Sequence, residues 1–194
     1  MPTYAVVTAA PADRVLTALQ SSKLGGYLYP GTDRAGGTAL LFDPPRPRFG
    51  RISRGRLIDP AWRLAVELKT ATWLLEAGDG GAGATACYAG GSYDSIGWAE
   101  DWTPPEDPAA READLRGWHE CCAKVAAKAG LPDVHALGAI RNDPAPDGTR
   151  TSSEELLRSL CALVGAPDTV VGQSLFCQAG PAGRDFTRFE AKGR

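Results

Sequence analysis

Short apolar runs and amphipathic stretches alternate along the first third of the chain. The apolar run over residues 3–9 predicts a strand, and Pro11 after it opens a stretch in which apolar residues recur at helical spacing. Residues 27–29 and 38–42 favour two more strands around a glycine-containing turn. The pattern therefore predicts a strand, a helix and a pair of strands in that order.

Residues 61–77 follow two periods at once. Apolar and polar residues alternate in the first half, which is the strand period, but Leu64, Leu68 and Leu75 also share one helical face. Asp59 can cap a helix, and Gly78 can end one. We therefore expect a helix over residues 61–77, with a strand as the alternative because threonines and a tryptophan occupy its middle.

The middle of the chain gives the clearest signals. Residues 84–98 combine β-favouring residues with a central Gly-Gly pair and predict a hairpin. A long helix follows, with Asp107 as its cap, Pro108 in its first turn and Gly130 after its last. Its apolar residues form one seam: Leu115, Trp118, Cys122, Val125 and Ala129.

The last third of the chain is predicted as strand, loop, helix and two strands. The pattern favours a strand over residues 134–140, and Ser152 with Glu155 forms a capping box at the start of a helix. Residues 169–178 and 186–191 favour two closing strands.

This order of elements indicates an α+β protein with a mixed, largely antiparallel sheet packed against about four helices. We expect a single domain over residues 1–194. The first and last helices each precede a glycine and two predicted strands, so the domain is interpreted as two loosely similar helix-then-two-strand halves.

Composition excludes several classes of protein. Of the 194 residues, 43% are hydrophobic and 23% are charged, and the net charge is −2, which is ordinary for a globular protein and favours no nucleic acid. No apolar run approaches the roughly 20 residues of a membrane span, and the N-terminus lacks the basic region of a signal peptide. The five cysteines form no C-x-x-C pair. We expect a cytoplasmic protein with reduced thiols, no metal and no cofactor.

A glycine motif is the first candidate for chemistry. The residues from Gly78 to Gly83 match G-x-G-x-x-G, and Glu100 lies about 20 residues further on, where a ribose-binding acid is expected. A dinucleotide site needs a strand before the motif and a helix after it, but β-favouring residues follow Gly83. The sequence therefore favours a glycine-rich turn leading into a hairpin.

Aromatic and acidic residues gather just before the long helix and are the favoured functional segment. They suit a protein-binding surface, because tyrosine and tryptophan dominate interface hot spots. We expect a binding protein, of which an inhibitor or immunity-type protein is one form, that engages a protein partner. The predicted contact residues are Tyr93, Asp94, Trp98, Glu100, Asp101 and Trp102.

An enzyme is the alternative hypothesis for residues 87–122. Paired carboxylates among rings can perform glycoside chemistry. A Cys-His site would use Cys87 as nucleophile, His119 as base, and Asp94 or Asp101 to orient the base. A zinc motif is not complete, because Ala123 stands where H-E-x-x-H requires its second histidine.

A basic segment supports a further alternative. The Arg-rich loop over residues 46–56 has no balancing acid, and guanidinium groups recognise phosphates. Nucleic-acid or anion binding through this loop is therefore a third hypothesis, less favoured because the net charge is near neutral. Its residues would be Arg46, Arg48, Arg51, Arg54 and Arg56.

Overall fold

The computed structural model describes residues 2–31, 36–44, 54–176, 180–183 and 185–190. Its strands form one seven-stranded antiparallel sheet in the order β6-β5-β4-β1-β3-β2-β7, which confirms the predicted α+β class. The elements are β1 (Thr3–Thr8), α1 (Ala12–Gln20), β2 (Gly26–Pro30), β3 (Thr38–Phe42), α2 (Arg54–Leu68), β4 (Thr72–Gly78), β5 (Gly81–Cys87), β6 (Tyr93–Ala99), α3 (Pro108–Ala129), the 3-10 helix (Ala136–Ala139), α4 (Ser153–Val164) and β7 (Thr187–Phe189).

Helices cover the two faces of the sheet, and each face buries its own apolar cluster. Because side chains alternate along a strand, Val6 on β1 joins one cluster and Val7 joins the other. Helices α1 and α2 pack on the face that holds Val6. Helices α3 and α4 and the 3-10 helix pack on the face that holds Val7. We call the second face the α3 face.

The predicted helix over residues 61–77 is wrong in its second half. Helix α2 ends at Leu68, and β4 begins at Thr72. Lys69 makes the break with a positive φ of 53°. Residues 72–78 form a strand because β4 pairs with both β1 and β5, and its first four residues are buried. This packing outweighs the helical spacing of the leucines.

The predicted strand over residues 134–140 is also wrong, since this segment forms a turn and the 3-10 helix. The segment packs against α3: Trp118 Nε1 donates to the carbonyl of Gly138 at 2.9 Å, and the His119 ring lies over Gly138. A Cβ at Gly138 would meet His119 Nδ1 at 2.4 Å, so only glycine allows this close contact. Docking on α3 thus replaces strand pairing.

The described part of the chain after α4 contains fewer strands than predicted. The described residues of 169–178 form turns, and β7 is three residues long. In the described part of the chain α4 is therefore followed by turns and one short strand, which differs from the strand pair that follows α1.

The glycine motif lies in the hairpin of β4 and β5, where Gly78 pairs with Gly81 across a two-residue Asp-Gly turn. A strand follows Gly83 instead of the helix that a dinucleotide site requires. Gly81 has φ 122°, and a Cβ there would meet the carbonyl oxygen of Trp98 at 2.1 Å. These glycines turn the chain and let β5 approach β6, as the sequence predicts.

The longest helix, α3, has 22 residues. None of the helices in the described ranges combines the length and the apolar character that crossing a membrane requires.

Candidate functional site

A cavity of about 380 Å³ lies between the end of β6, the middle of α3 and residues 141–143. Three tryptophans, one from each of β6, the following loop and α3, form much of its wall, and we call it the tryptophan cavity. Its principal lining residues are Trp98, Trp102, Asp114, Trp118, Arg141 and Asp143.

Two of these tryptophans are fixed by hydrogen bonds to backbone. Trp98 is 4% exposed, and its Nε1 donates to the carbonyl of Ile140 at 2.8 Å. Trp118 donates to Gly138, and its ring meets the Trp98 ring edge-on at a centroid distance of 6.2 Å. Edge-to-face contacts of this kind stabilise ring pairs. The two rings therefore form a rigid wall.

Arg141 places a guanidinium among the rings. Its Cζ lies 5.6 Å from the Trp102 ring centroid and 5.8 Å from that of Trp118. Nη2 donates to Asp143 Oδ1 at 2.8 Å, Nε donates to Oδ2, and Asp114 Oδ2 lies 3.8 Å from Nη2. The hydrogen bonds that Arg141 donates to Asp143 raise the pKa of Arg141, so the guanidinium stays charged.

Asn142 anchors this segment to the end of β6. It is 9% exposed, and its Nδ2 donates to the carbonyl of Ala99 at 3.0 Å. Arg150 Nη1 donates to the Asn142 carbonyl at 3.2 Å. These contacts hold Arg141 and Asp143 against the cavity, so a ligand meets a preformed arrangement.

Acidic residues outnumber basic ones in the wall of the cavity and in the sequence around β6. Between Lys69 and Arg111 the sequence contains no lysine or arginine but seven acids, which include Glu100 and Asp101 in the exposed turn after β6. In the wall itself, Asp114 and Asp143 outnumber Arg141 by one charge. A wall with one net negative charge favours cations over anions.

Within the described residues, no strand pairs with the outer side of β6, which is therefore an edge of the sheet. Tyr88 N donates to Ser92 O, and Glu100 N donates to Gly80 O, so even-numbered residues of β6 form the hydrogen-bonded pairs with β5. The backbone groups of Tyr93, Ser95 and Gly97 consequently point outwards. All three residues are exposed.

The structure distributes the predicted partner-binding residues along β6 and its following turn. Trp98 is buried and Trp102 half-buried, and both line the cavity; Glu100 and Asp101 are exposed beside it. The remaining two lie at the opposite end of β6, where the Tyr93 side chain is 54% exposed and Asp94 accepts a hydrogen bond from Lys128.

The sequence interpretation did not identify the other half of the cavity. Trp118 was recognised only as part of the apolar seam of α3, although its place in that seam is correct. Asp114, Arg141 and Asp143 carried no local signal, because only the docking of the 3-10 helix on α3 brings residues 141–143 to the end of β6.

The structure does not bring the predicted Cys-His pair together. The Cys87 side chain lies in the cluster beneath α1 and α2, whereas His119 is exposed on α3, across the sheet, with its ring over Gly138. Burial raises the pKa of Cys87 to about 12, which keeps the thiol protonated and a poor nucleophile. Of the proposed orienting groups, Asp94 pairs with Lys128 and Asp101 lies in the exposed turn.

The arginine-rich segment falls largely outside the described residues. This holds for Arg46, Arg48 and Arg51, while Arg54 begins α2 and Arg56 is half-buried on it. Across the described ranges, no three side chains among histidine, cysteine, aspartate and glutamate are grouped so as to hold a metal ion.

The chain matches no family model, no curated protein and no solved structure. Its function must therefore be argued from the chemistry of the site, because a fold alone supports many functions.

Proposed function

We propose that the protein is a binding protein whose tryptophan cavity takes a basic side chain of a protein partner. The observation that supports this most strongly is the arrangement around Arg141, whose guanidinium already lies against two tryptophan rings and between two carboxylates. The same walls would offer a second cation the tryptophan faces and the one net negative charge by which Asp114 and Asp143 exceed Arg141.

The size of the cavity suits an anchoring side chain. At about 380 Å³ it lies within the range of binding pockets and is larger than one arginine or lysine side chain. Protein interfaces concentrate their affinity in a few anchors that fill such pockets. The cavity would therefore act as the centre of a larger contact.

The charge around the cavity sets the kind of partner. Asp114 and Asp143 lie in the wall, and Glu100 and Asp101 lie beside it. A partner with a basic surface would be attracted and oriented, and high salt would weaken its binding. A cytoplasmic inhibitor or immunity-type protein, which covers the basic site of a target, is the concrete form that we propose.

The test uses a fluorescently labelled peptide, acetyl-Ala-Ala-Arg-Ala-Ala-amide, and a twin in which citrulline replaces arginine. Citrulline keeps the shape of the side chain and loses its charge. We expect the arginine peptide to bind at least tenfold more tightly than the citrulline peptide, as measured by fluorescence anisotropy. A tenfold difference corresponds to about 1.4 kcal/mol of charge-dependent binding free energy.

Two tryptophan variants locate the binding. Trp102→Ala removes a face of the cavity and should weaken binding of the arginine peptide at least tenfold. Trp62→Ala is the matched control, because Trp62 is 38% exposed on α2 and lies outside the cavity. Equal binding of both peptides, or equal loss in both variants, would contradict the proposal.

A further inference from the structure

We infer that β6 is the acceptor strand for an extended segment of the partner, which adds to the sheet beyond β6 with a basic side chain in the tryptophan cavity. This inference rests on the proposed function. It assigns the way in which the partner is held, and it predicts a sequence pattern that the partner must have.

The backbone of β6 offers hydrogen-bonding groups for such a strand. The pairing with β5 runs without interruption from Gly81↔Ala99 to Cys87↔Tyr93 and uses the even-numbered residues of β6. Tyr93, Ser95 and Gly97 therefore present both N–H and C=O at the edge, where an antiparallel strand could exchange two bonds with each. Main-chain bonds of this kind supply affinity in strand addition.

β6 lacks the features that usually protect an edge strand. It is seven residues long and contains no proline, lysine or arginine, and its register with β5 shows no bulge. Its only charged residue, Asp94, is paired with Lys128 at 2.8 Å. An edge of this kind is suited to pairing with another strand.

The free edge ends at the cavity. The Ala99 carbonyl is already occupied, because it accepts from Asn142 Nδ2 at 3.0 Å and from Trp102 N at 3.4 Å. An added strand would therefore pair along residues 93–97 and reach its last position beside Trp98. Trp98 points to the α3 face, so a residue opposite it points to that face as well, where the cavity lies.

Charge selects the side chains of the added strand. A basic residue opposite Trp98 would enter the acidic cavity. Four positions along, a second basic residue opposite Asp94 would lie on the same face and share the Asp94 carboxylate with Lys128, whose Nζ donates to Oδ2. The predicted pattern of the partner is two basic residues separated by three β-favouring ones.

The test uses the labelled peptide acetyl-Thr-Arg-Thr-Val-Thr-Lys-Val-amide. In the antiparallel register its arginine lies opposite Trp98, and its second and third threonines lie opposite Gly97 and Ser95 and donate their N–H groups to β6. N-methylation of those two threonines should weaken binding at least tenfold. N-methylation of the valine between them and of the lysine is the matched control, since those N–H groups point away, and should change binding less than threefold.

The outcomes separate this inference from the proposed function. If neither this peptide nor the short arginine peptide binds, the proposed function fails. If all peptides bind and both methylated forms bind as well as the parent, the basic side chain is recognised and strand addition is overturned. Loss confined to the threonine-methylated form supports strand addition.

A pair of variants tests the same edge from the side of the protein. Gly97→Pro removes one outward N–H and leaves the β5 pairing intact, and we expect at least tenfold weaker peptide binding. Gly97→Ala keeps that N–H, and its Cβ would lie 3.7 Å from the Ala82 carbonyl, an ordinary contact, so it should bind the peptide at least tenfold more tightly than Gly97→Pro. Equal binding by the two variants would contradict strand addition. A dimer in sedimentation that Gly97→Pro dissociates would assign β6 to a second copy and overturn it too.

Discussion

The two edge strands of the sheet, β7 and β6, differ in length, in charge and in what lies beside them. The β7 edge is three residues long. Its central residue, Arg188, forms a bidentate ion pair with Asp43, and the Arg188 Cζ lies 4.9 Å from the centroid of the Tyr27 ring. The β6 edge is seven residues long and runs into a cavity. A short charged edge discourages further pairing, whereas a long edge with few charges permits it. Of the two edges, β6 is therefore the one that we propose for partner binding.

Aromatic packing should distinguish the two edges most strongly. Trp98→Ala removes a buried ring, its hydrogen bond to Ile140 and its contact with Trp118, so we expect a loss of about 3–5 kcal/mol in the free energy of unfolding. Phe189→Ala at the β7 edge removes a half-buried ring packed on Phe42 and should cost roughly 1 kcal/mol. Urea denaturation measures both.

Equal losses would mean that Trp98 contributes no more to stability than Phe189 does, which would contradict the packing and hydrogen bonding described for the cavity wall.

The two arginines provide the next comparison. Arg141 and Arg188 each form a bidentate pair with an aspartate and lie over aromatic rings, but their side chains are 17% and 40% exposed. Arg141→Met should cost about 1–2 kcal/mol of unfolding free energy, because its contacts are shielded from water. Arg188→Met should cost less than about 1 kcal/mol, since exposed ion pairs contribute little. A larger loss for Arg188→Met in urea denaturation would contradict this order.

Local signals predicted the elements whose ends are fixed by their own residues. The Asp107 side chain accepts from Ala110 N, and Gly130 ends α3 in the left-handed conformation. Ser152 and Glu155 form the predicted capping box of α4. Such contacts span a few residues, so a short window of sequence contains them.

Segments in which distant partners override the local pattern were predicted wrongly. The second half of the segment 61–77 is a strand because β1 and β5 flank it, and residues 136–139 form a 3-10 helix because α3 receives them. The cavity shows the same division. Trp98 and Trp102 were identified in one local cluster, but Trp118 and Arg141 reach them only through tertiary packing.

A new charge at each edge tests where the partner binds. Ser95→Lys places a cation on β6 and should weaken binding of the Thr-Arg-Thr-Val-Thr-Lys-Val peptide about tenfold, because lysine at an edge opposes strand addition and repels a basic segment. Thr187→Lys places the same charge on the exposed β7 strand and should leave binding unchanged. Fluorescence anisotropy with both variants measures the difference. Equal weakening would indicate general charge repulsion without a preferred edge.

The smallest expected effect concerns the ion pair between Asp94 and Lys128. The hydrogen bond from Lys128 lowers the pKa of Asp94 below its ordinary value of 3.8. A carboxyl whose pKa falls on folding stabilises the protein above its unfolded pKa, and this contribution is lost as the pH falls through the folded pKa. The Asp94 side chain is 37% exposed, so Asp94→Asn should cost at most about 0.5 kcal/mol at pH 7.

Urea denaturation of the wild type and Asp94→Asn from pH 7 to pH 2 measures this effect. The difference between them should begin to shrink below about pH 4 and disappear once the pH is below the folded pKa of Asp94. Lys128→Met should remove the same small contribution at pH 7, and the double variant should lose no more than either single one. A difference that persists at pH 2 would show that Asp94 stabilises β6 by packing instead of charge. In that case the contribution of Asp94 to the stability of β6 would depend neither on pH nor on the charge of Lys128.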